Sequence, residues 1–175
     1  MITTSFSMDK PTLKWLDSWC INNRPRAILE FGSGVSTLHI ARYCIESDDP
    51  VVFTSVEHHP EYYIKTYRTL KTTYPQDDPV GLRHCGIRDG WYDIDPVTGW
   101  DLIVIDGPPE SIGREQTSER LQGFLEAGKQ TTILVDDAKR PTEDRLVREW
   151  FSVDRRVRLE EIVPTPRGLA VLRVH

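Results

Sequence analysis

Eight consecutive residues, Glu30-Phe31-Gly32-Ser33-Gly34-Val35-Ser36-Thr37, set a carboxylate two positions ahead of a Gly-x-Gly pair and two hydroxyls just behind it. The glycines fall between an apolar run and a helical pattern, where a missing Cβ permits positive φ and lets a ligand approach the backbone closely. An ordinary tight turn has the same look. The dinucleotide fingerprint requires glycine at position 37, where Thr37 stands, and the Gly-Lys-Ser/Thr of a phosphate loop does not follow. A carboxylate at Glu30 would repel a diphosphate and suits a cationic amino-acid moiety, held directly or through water. Glu57 ends the next apolar run, where an acid can accept both hydroxyl hydrogens of a ribose. An acid ahead of Pro60 could equally serve a helix N-terminus.

Asp106 and the pair Asp136-Asp137 end two further apolar runs. If those runs are neighbouring strands, the three acids reach one crevice mouth as the hard oxygen donors that Mg²⁺ takes, with water completing its shell. The plainer alternative makes Asp137 a turn residue before Pro141 and leaves Asp106 to orient a cofactor amine or a substrate. Lys139 is a candidate base or substrate-anchoring cation, or simply an exposed lysine. Arg114 is a candidate clamp for a substrate carboxylate or phosphate, or a salt bridge at a helix start. There is no Gly-x-Ser-x-Gly elbow and no cysteine with a convincing histidine partner, and His39 and His84 read as structural.

The elements that must position these residues alternate along the chain. Strands are expected at 26–31, 51–57, 82–85, 100–106 and 131–137, the second, fourth and fifth as nearly continuous apolar runs of the kind buried on both faces of a parallel sheet. Helices lie between them, with Val35, Leu38, Ala41 and Ile45 on one face, then Tyr63, Tyr67, Leu70 and Tyr74 after Pro60, then Leu121, Phe124 and Leu125, then Val147, Trp150 and Phe151. Right-handed βαβ crossovers follow, with helices on both faces and the ligand crevice at the carboxyl ends of the strands. Residues 156–163 and 168–174 also read as strands, and the four residues between them are too few for a parallel crossover. They form an antiparallel hairpin that finishes the parallel sheet with an antiparallel edge strand. Residues 9–23 make a leading helix with Leu13, Leu16, Trp19 and Cys20 on one side, while 74–81 and 86–99 are loops rich in Pro, Gly and Asp. The fold class is therefore α/β, a doubly wound, mostly parallel seven-stranded sheet with a C-terminal antiparallel hairpin, and residues 1–175 form one domain with 1–24 as a helical extension.

Composition narrows the partners. A net charge of −5 with scattered basic residues argues against nucleic acid. A patch at Arg145, Arg148, Arg155, Arg156 and Arg158 reads as a solvated face. No apolar run is long enough to span a membrane and no basic-then-apolar leader opens the chain, so a cytoplasmic protein is expected. Three cysteines without CxxC spacing indicate neither a disulfide framework nor a zinc site, and each reads as a buried thiol.

Taken together, Glu30 to Thr37, Glu57 closing the second strand and Asp106 in Asp-Leu-Ile-Val-Ile-Asp-Gly-Pro-Pro resemble the cofactor motifs of class I S-adenosylmethionine-dependent methyltransferases. The terminal hairpin is similar to that family's reversed last strand, and the resemblance covers residues 26–174 at the level of element order. It implies that Gly32, Ser33 and Gly34 back the methionine moiety, with Glu30 and the Ser36 and Thr37 hydroxyls near its polar groups. Glu57 would bind the ribose and His58 would lie beside the adenine, with Gly86, Ile87 and Arg88 placed nearby. Acids at corresponding strand ends hold a metal in catechol-type O-methyltransferases, which the placement of Asp106, Asp136 and Asp137 resembles, although the residues that follow them differ. The resemblance thus implies S-adenosylmethionine as cofactor with Mg²⁺ as a conditional second group, and methyl transfer to oxygen of a small-molecule or saccharide acceptor. Trp91 and Tyr92 either wall the acceptor pocket or pack in the core. That pocket draws on residues 1–24, 86–99 and 107–116, or on a second subunit of a homo-oligomer. A nucleotide- or NAD-binding protein of related fold, or a non-catalytic relative, are the alternatives.

Overall fold

The computed structural model describes residues 8–109, 111–112 and 117–175. The chain runs α1 (Lys10–Asn23), β1 (Ala27–Phe31), α2 (Val35–Glu46), β2 (Val52–Glu57), α3 (Pro60–Thr73), β3 (Gly81–His84), β4 (Ile87–Arg88), β5 (Trp91–Tyr92), β6 (Leu102–Ile105), α4 (Thr117–Leu121), a 3₁₀ turn (Gln122–Phe124), β7 (Thr131–Asp136), α5 (Pro141–Val153), β8 (Val157–Val163) and β9 (Leu169–Val174). Seven strands make one sheet in the order β3-β2-β1-β6-β7-β9-β8. The first five in that order are parallel, and β9 runs antiparallel to both of its neighbours.

The hairpin forms as expected, but its reversed strand is internal and not at the edge. Composition explains the choice. β9 is Leu-Ala-Val-Leu-Arg-Val and almost wholly buried, so it inserts beside β7, whereas β8 carries exposed charges along its middle and takes the edge. At Glu160 the register of β8 shifts, and the displaced carboxylate pairs with Arg173 across the strands through two bonds of 3.0 and 3.1 Å.

Strand alternation splits the core in two. Ile28, Leu102, Val104 and Leu134 face Leu13, Leu16, Ile40 and Leu70 of α1, α2 and α3. Leu29, Phe31, Ile103, Ile105, Ile133 and Val135 face Phe124, Val147 and Trp150 beneath α4, the 3₁₀ turn and α5. On this second side, residues 86–99 are more than a loop: β4 and β5 pair as a short antiparallel ribbon. Asp89 and Gly90 turn it with positive φ at both positions, the signature of a tight two-residue hairpin. The ribbon lays Trp91 and Tyr92 against Phe31, with ring centroids 5.0 and 5.3 Å away, so of the two roles open to these aromatics the structure shows core packing.

Two helical stripes are rotated from expectation. In α2 the buried positions are Ser36, Thr37, Ile40 and Ala41, leaving Ile45 exposed. In α3 only Thr66 and Leu70 are buried, since the helix covers the narrow edge of the sheet; exposed Tyr67 stacks on half-buried Tyr63 instead. Cys20 is buried, while Cys44 and Cys85 are half-buried free thiols. Among the described residues no helix is long and apolar enough to cross a membrane.

The ribbon also sets a steric test. A Cβ built on Gly107 falls 2.1 Å from the Tyr92 hydroxyl and 3.3 Å from its ring carbon Cζ. Gly107→Ala is expected to cost about 1–3 kcal/mol from overpacking. Adding Tyr92→Phe should recover part of that loss; strictly additive losses in a denaturant-unfolding double-mutant cycle would contradict the contact.

Candidate functional site

Parallel register brings the sequence-predicted acids to one end of the sheet. Glu30 pairs in register with Ser55 and Val104, and the Asp106 N–H continues the ladder to the Phe31 carbonyl at 2.9 Å. The loops after β1 and β6 then touch. Gly32 has φ +94°, and a Cβ there would lie 2.9 Å from both the Asp106 carbonyl carbon and the Gly107 nitrogen. Its glycine is thus demanded by the chain's own crossing. Gly34 differs: none of the described residues lies within 4 Å of the Cβ position, which leaves that face open to a ligand.

Glu30 is fully buried and shares its sheet face with Ile28, beneath the first turn of α2. Thr37 Oγ1 donates to Glu30 Oε2 at 2.6 Å and accepts from the Gly34 N–H at 2.8 Å, while Ser55 Oγ donates to the same Oε2 at 2.6 Å. Oε1 has no hydrogen-bond partner among the described residues. The buried Ser36 hydroxyl is near enough to ease the charge but makes no bond of ordinary geometry. Burial pushes Glu30 up to about 7, the neighbouring hydroxyls offsetting only part of that cost.

Glu57 behaves oppositely. Burial would raise it, but His58 and the backbone N–H groups of His59 and Ser33 outweigh that and hold it below the ordinary carboxylate value. Its Oε1 accepts from the His59 N–H at 2.8 Å and lies 3.2 Å from His58 Nδ1. Oε2 accepts from the Ser33 N–H at 3.0 Å and meets the Ser33 hydroxyl at 3.1 Å, which in turn is 3.1 Å from Thr66 Oγ1. An ionised acid is therefore bound directly to the glycine loop. His58 also stands edge-on to Tyr92, with centroids 5.8 Å apart.

At the ends of β6 and β7, Asp106, Asp136 and Asp137 each offer an oxygen, all within 4.8 Å of one another. Asp137 has φ +61°, rare for a residue with a side chain. It lies 2.9 Å from Arg140 Nη2 and 3.5 Å from Arg167 Nη1. Three hard donors at this spacing fit a divalent cation, although Asp137 already has guanidinium partners. Lys139 stands apart from the triad, its ammonium on the Thr165 carbonyl of the β8–β9 turn. Arg114 lies outside the described residues. Asp89 is at the tip of the ribbon, 3.3 Å from Arg120, and Arg88 pairs with Asp93 at 2.8 Å. His39 bonds Asp17 of α1, and His84 reaches the His58 carbonyl.

Ser55, Thr66, Arg140 and Arg167 were not anticipated. Ser55 left a signal, a small hydroxyl at an inward position of β2 between Phe53 and Glu57 on the same face; the arginines left none, because their turns are distant in sequence. A separate cleft of about 250 Å³ lies at the amino ends of β1 and β2, and its charges pair among themselves as Arg26–Asp49, Arg42–Asp17 and His39–Asp17.

The sequence matches no protein-family model and no curated protein. Solved structures do match. The SAH-bound methyltransferase PaMTH1 of Podospora anserina aligns over 97% of this chain and 80% of its own, with a TM-score of 0.71 and 17% identity. An O-methyltransferase from Bacillus cereus in complex with SAH aligns over 98% and 84%, at 0.71 and 16%. TomG of Streptomyces achromogenes, an O-methyltransferase involved in tomaymycin synthesis and solved with SAM, aligns over 96% and 80%, at 0.65 and 14%. The chain shares the fold of these solved methyltransferases, the mostly parallel seven-stranded architecture that the residue motifs implied.

The raised Glu30 makes a stability prediction. Between the ordinary carboxylate range and about 7 the native state holds a proton that the unfolded chain has released, so this group's contribution falls as pH rises through that window. Relative to the unsubstituted chain, Glu30→Gln should therefore gain in Tm between about pH 5 and pH 8 without ligand. Scanning calorimetry that found a pH-independent difference would refute the assignment.

Proposed function

We propose that this chain is an S-adenosylmethionine-dependent methyltransferase acting on a hydroxyl oxygen of a small-molecule or saccharide acceptor. The observation that carries the reading is the ionised Glu57 at the tip of β2, bonded to Ser33 inside a glycine loop whose floor is a second carboxylate. An acid in this position can accept ribose hydroxyls in place of the Ser33 hydroxyl. Glu30, with one buried oxygen lacking a partner among the described residues, suits the ammonium of a methionine moiety, whose arrival would favour its ionised form. Gly34 leaves the loop open on the ligand side. In this reading Gly32, Ser33, Ser36 and Thr37 shape the cofactor seat, mostly through the backbone and through Glu30, and His58 flanks the nucleoside.

Thr37 is what weighs against a dinucleotide. It stands where the third fingerprint glycine would be, and its hydroxyl already takes the Gly34 N–H at 2.8 Å, a backbone donor that a diphosphate cradle would need.

The transferred methyl is already electrophilic on a sulfonium, so the chain's task is chiefly to hold an acceptor oxygen in line with it in a water-poor crevice. We assign Asp106, Asp136 and Asp137 to a Mg²⁺ ion, which when bound would lower an acceptor hydroxyl's pKa. Asp106, at the crossing with Gly32, would serve both cofactor and metal sides. Lys139 remains a candidate only through release of its carbonyl partner, and we favour a strapping role for it. The reading takes residues 1–175 as one cytoplasmic domain, with 1–24 contributing to the acceptor side.

Calorimetry should show S-adenosylhomocysteine binding and no NADH binding. Glu57→Ala should weaken S-adenosylhomocysteine by about tenfold or more, as expected for loss of charge-assisted hydrogen bonds. EDTA should abolish methyl transfer to hydroxylated acceptors while leaving S-adenosylhomocysteine affinity intact. NADH binding in its place would overturn the cofactor, and EDTA-resistant turnover would overturn the metal.

A further inference from the structure

Glu57 is already well supplied with donors. Its Oε1 accepts from the His59 N–H at 2.8 Å and stands 3.2 Å from His58 Nδ1, while its Oε2 accepts from the Ser33 N–H at 3.0 Å and from the Ser33 hydroxyl at 3.1 Å. An ionised carboxylate offers about four lone-pair positions, so these neighbours surround it. The two backbone N–H groups are fixed by the main chain. A ribose that brings both its hydroxyls to this acid therefore has to displace a side chain, and on Oε2 that side chain is Ser33.

The Ser33 hydroxyl carries one proton and stands at the same 3.1 Å from a second oxygen, Thr66 Oγ1. Without ligand the ionised Glu57, which can only accept, takes the Ser33 proton, and the Thr66 proton points to Ser33 Oγ. With Oε2 taken by a ribose hydroxyl, the Ser33 proton needs another acceptor, because a partly buried O–H left unpaired is costly. Thr66 is placed to provide one. It is 3% exposed, on the inner side of α3. In the same helix Thr69 and Thr72 bond back to the i−4 carbonyls of Lys65 and Arg68 at 2.8 and 2.9 Å. Thr66 departs from that habit and turns its oxygen to the glycine loop. Its own i−4 carbonyl, that of Tyr62, is the standard alternative partner for its proton.

We propose that Thr66 is a positioning residue for the cofactor, taking up the Ser33 hydroxyl when a ribose occupies Glu57, so that the acid changes partners without stranding a donor. This deepens the methyltransferase reading and rests on it. Every proton stays on its own oxygen and only rotates. Before binding, Thr66 donates to Ser33 and Ser33 to Glu57; afterwards Ser33 donates to Thr66 and Thr66 to the Tyr62 carbonyl. The relay reverses between a loop and a helix that meet only in the folded chain, and it needs an oxygen at position 66.

Calorimetry of the full chain with S-adenosylhomocysteine tests this. Thr66→Val removes the standby acceptor at nearly constant shape, so affinity should fall by about three- to tenfold, as for one hydrogen bond left unmade. Thr66→Ser restores the oxygen and should restore affinity. On a Ser33→Ala background there is no hydroxyl to rehouse, and adding Thr66→Val should leave affinity where Ser33→Ala alone puts it. Circular dichroism checks folding, and Thr66→Ala takes the place of Thr66→Val should the latter not fold. A purely structural role for Thr66 predicts the same loss with and without the Ser33 hydroxyl, and that result would overturn the proposal. Unchanged affinity in folded Thr66→Val, or no recovery in Thr66→Ser, would do the same. Failure of the unsubstituted chain to bind S-adenosylhomocysteine strikes the cofactor reading itself, whereas binding that ignores position 66 strikes this proposal alone.

Discussion

Two loops meet at Gly32 more closely than any side chain would allow, and the site depends on that meeting. A single Cβ at this position would press into the Asp106–Gly107 peptide. With hydrogen there, the turn after β1 settles onto the turn after β6, so Glu30 and Glu57 lie on one flank of the crossing and Asp106 on the other. From below, the Tyr92 hydroxyl abuts Gly107, and the aromatic ribbon supports the same crossing from the core. The paired glycines of the loop therefore divide the work between packing at Gly32 and openness at Gly34.

Around this crossing the chain gathers more negative charge than a folded protein readily keeps together, and it resolves each case by different means. Glu30 meets burial by titrating near neutrality. Glu57 stays ionised because backbone N–H groups and His58 surround it. Asp137 takes guanidinium partners from two turns. The gradient is functional in form: a nearly neutral acid beneath the loop, a charged acid at its side, and a charge-rich triad across the crevice.

Strands were the most legible feature of the sequence, because apolar runs closed by acids leave few alternatives to a buried parallel sheet. The hairpin followed from the four residues between 163 and 168, a count that no crossover survives. Loop length says that β8 and β9 pair but not which of them lies beside β7. The difference in charge between Val-Arg-Leu-Glu-Glu-Ile-Val and Leu-Ala-Val-Leu-Arg-Val is what decides the lateral order. Trp91 and Tyr92 were ambiguous because an aromatic pair suits a ligand wall or a core equally well, and only the Asp89-Gly90 turn decides which way they point. Among site residues, the acids were legible as strand ends. Arg140 and Arg167 were not, because the turn-to-turn bonds that unite them join distant segments.

The placement of β9 has a consequence for the order in which the molecule can be assembled. Residues 169–174 fill the gap between β7 and the outer strand, so a polypeptide emerging from the ribosome cannot close its sheet until they have been made. Until then the flank of β7, apolar on both faces, lacks its hydrogen-bonding neighbour and is open to pairing with other chains. A nascent chain of this topology relies on residues 169–174 to seal the sheet, and a ribosome that stalls shortly before them leaves the side of β7 uncovered.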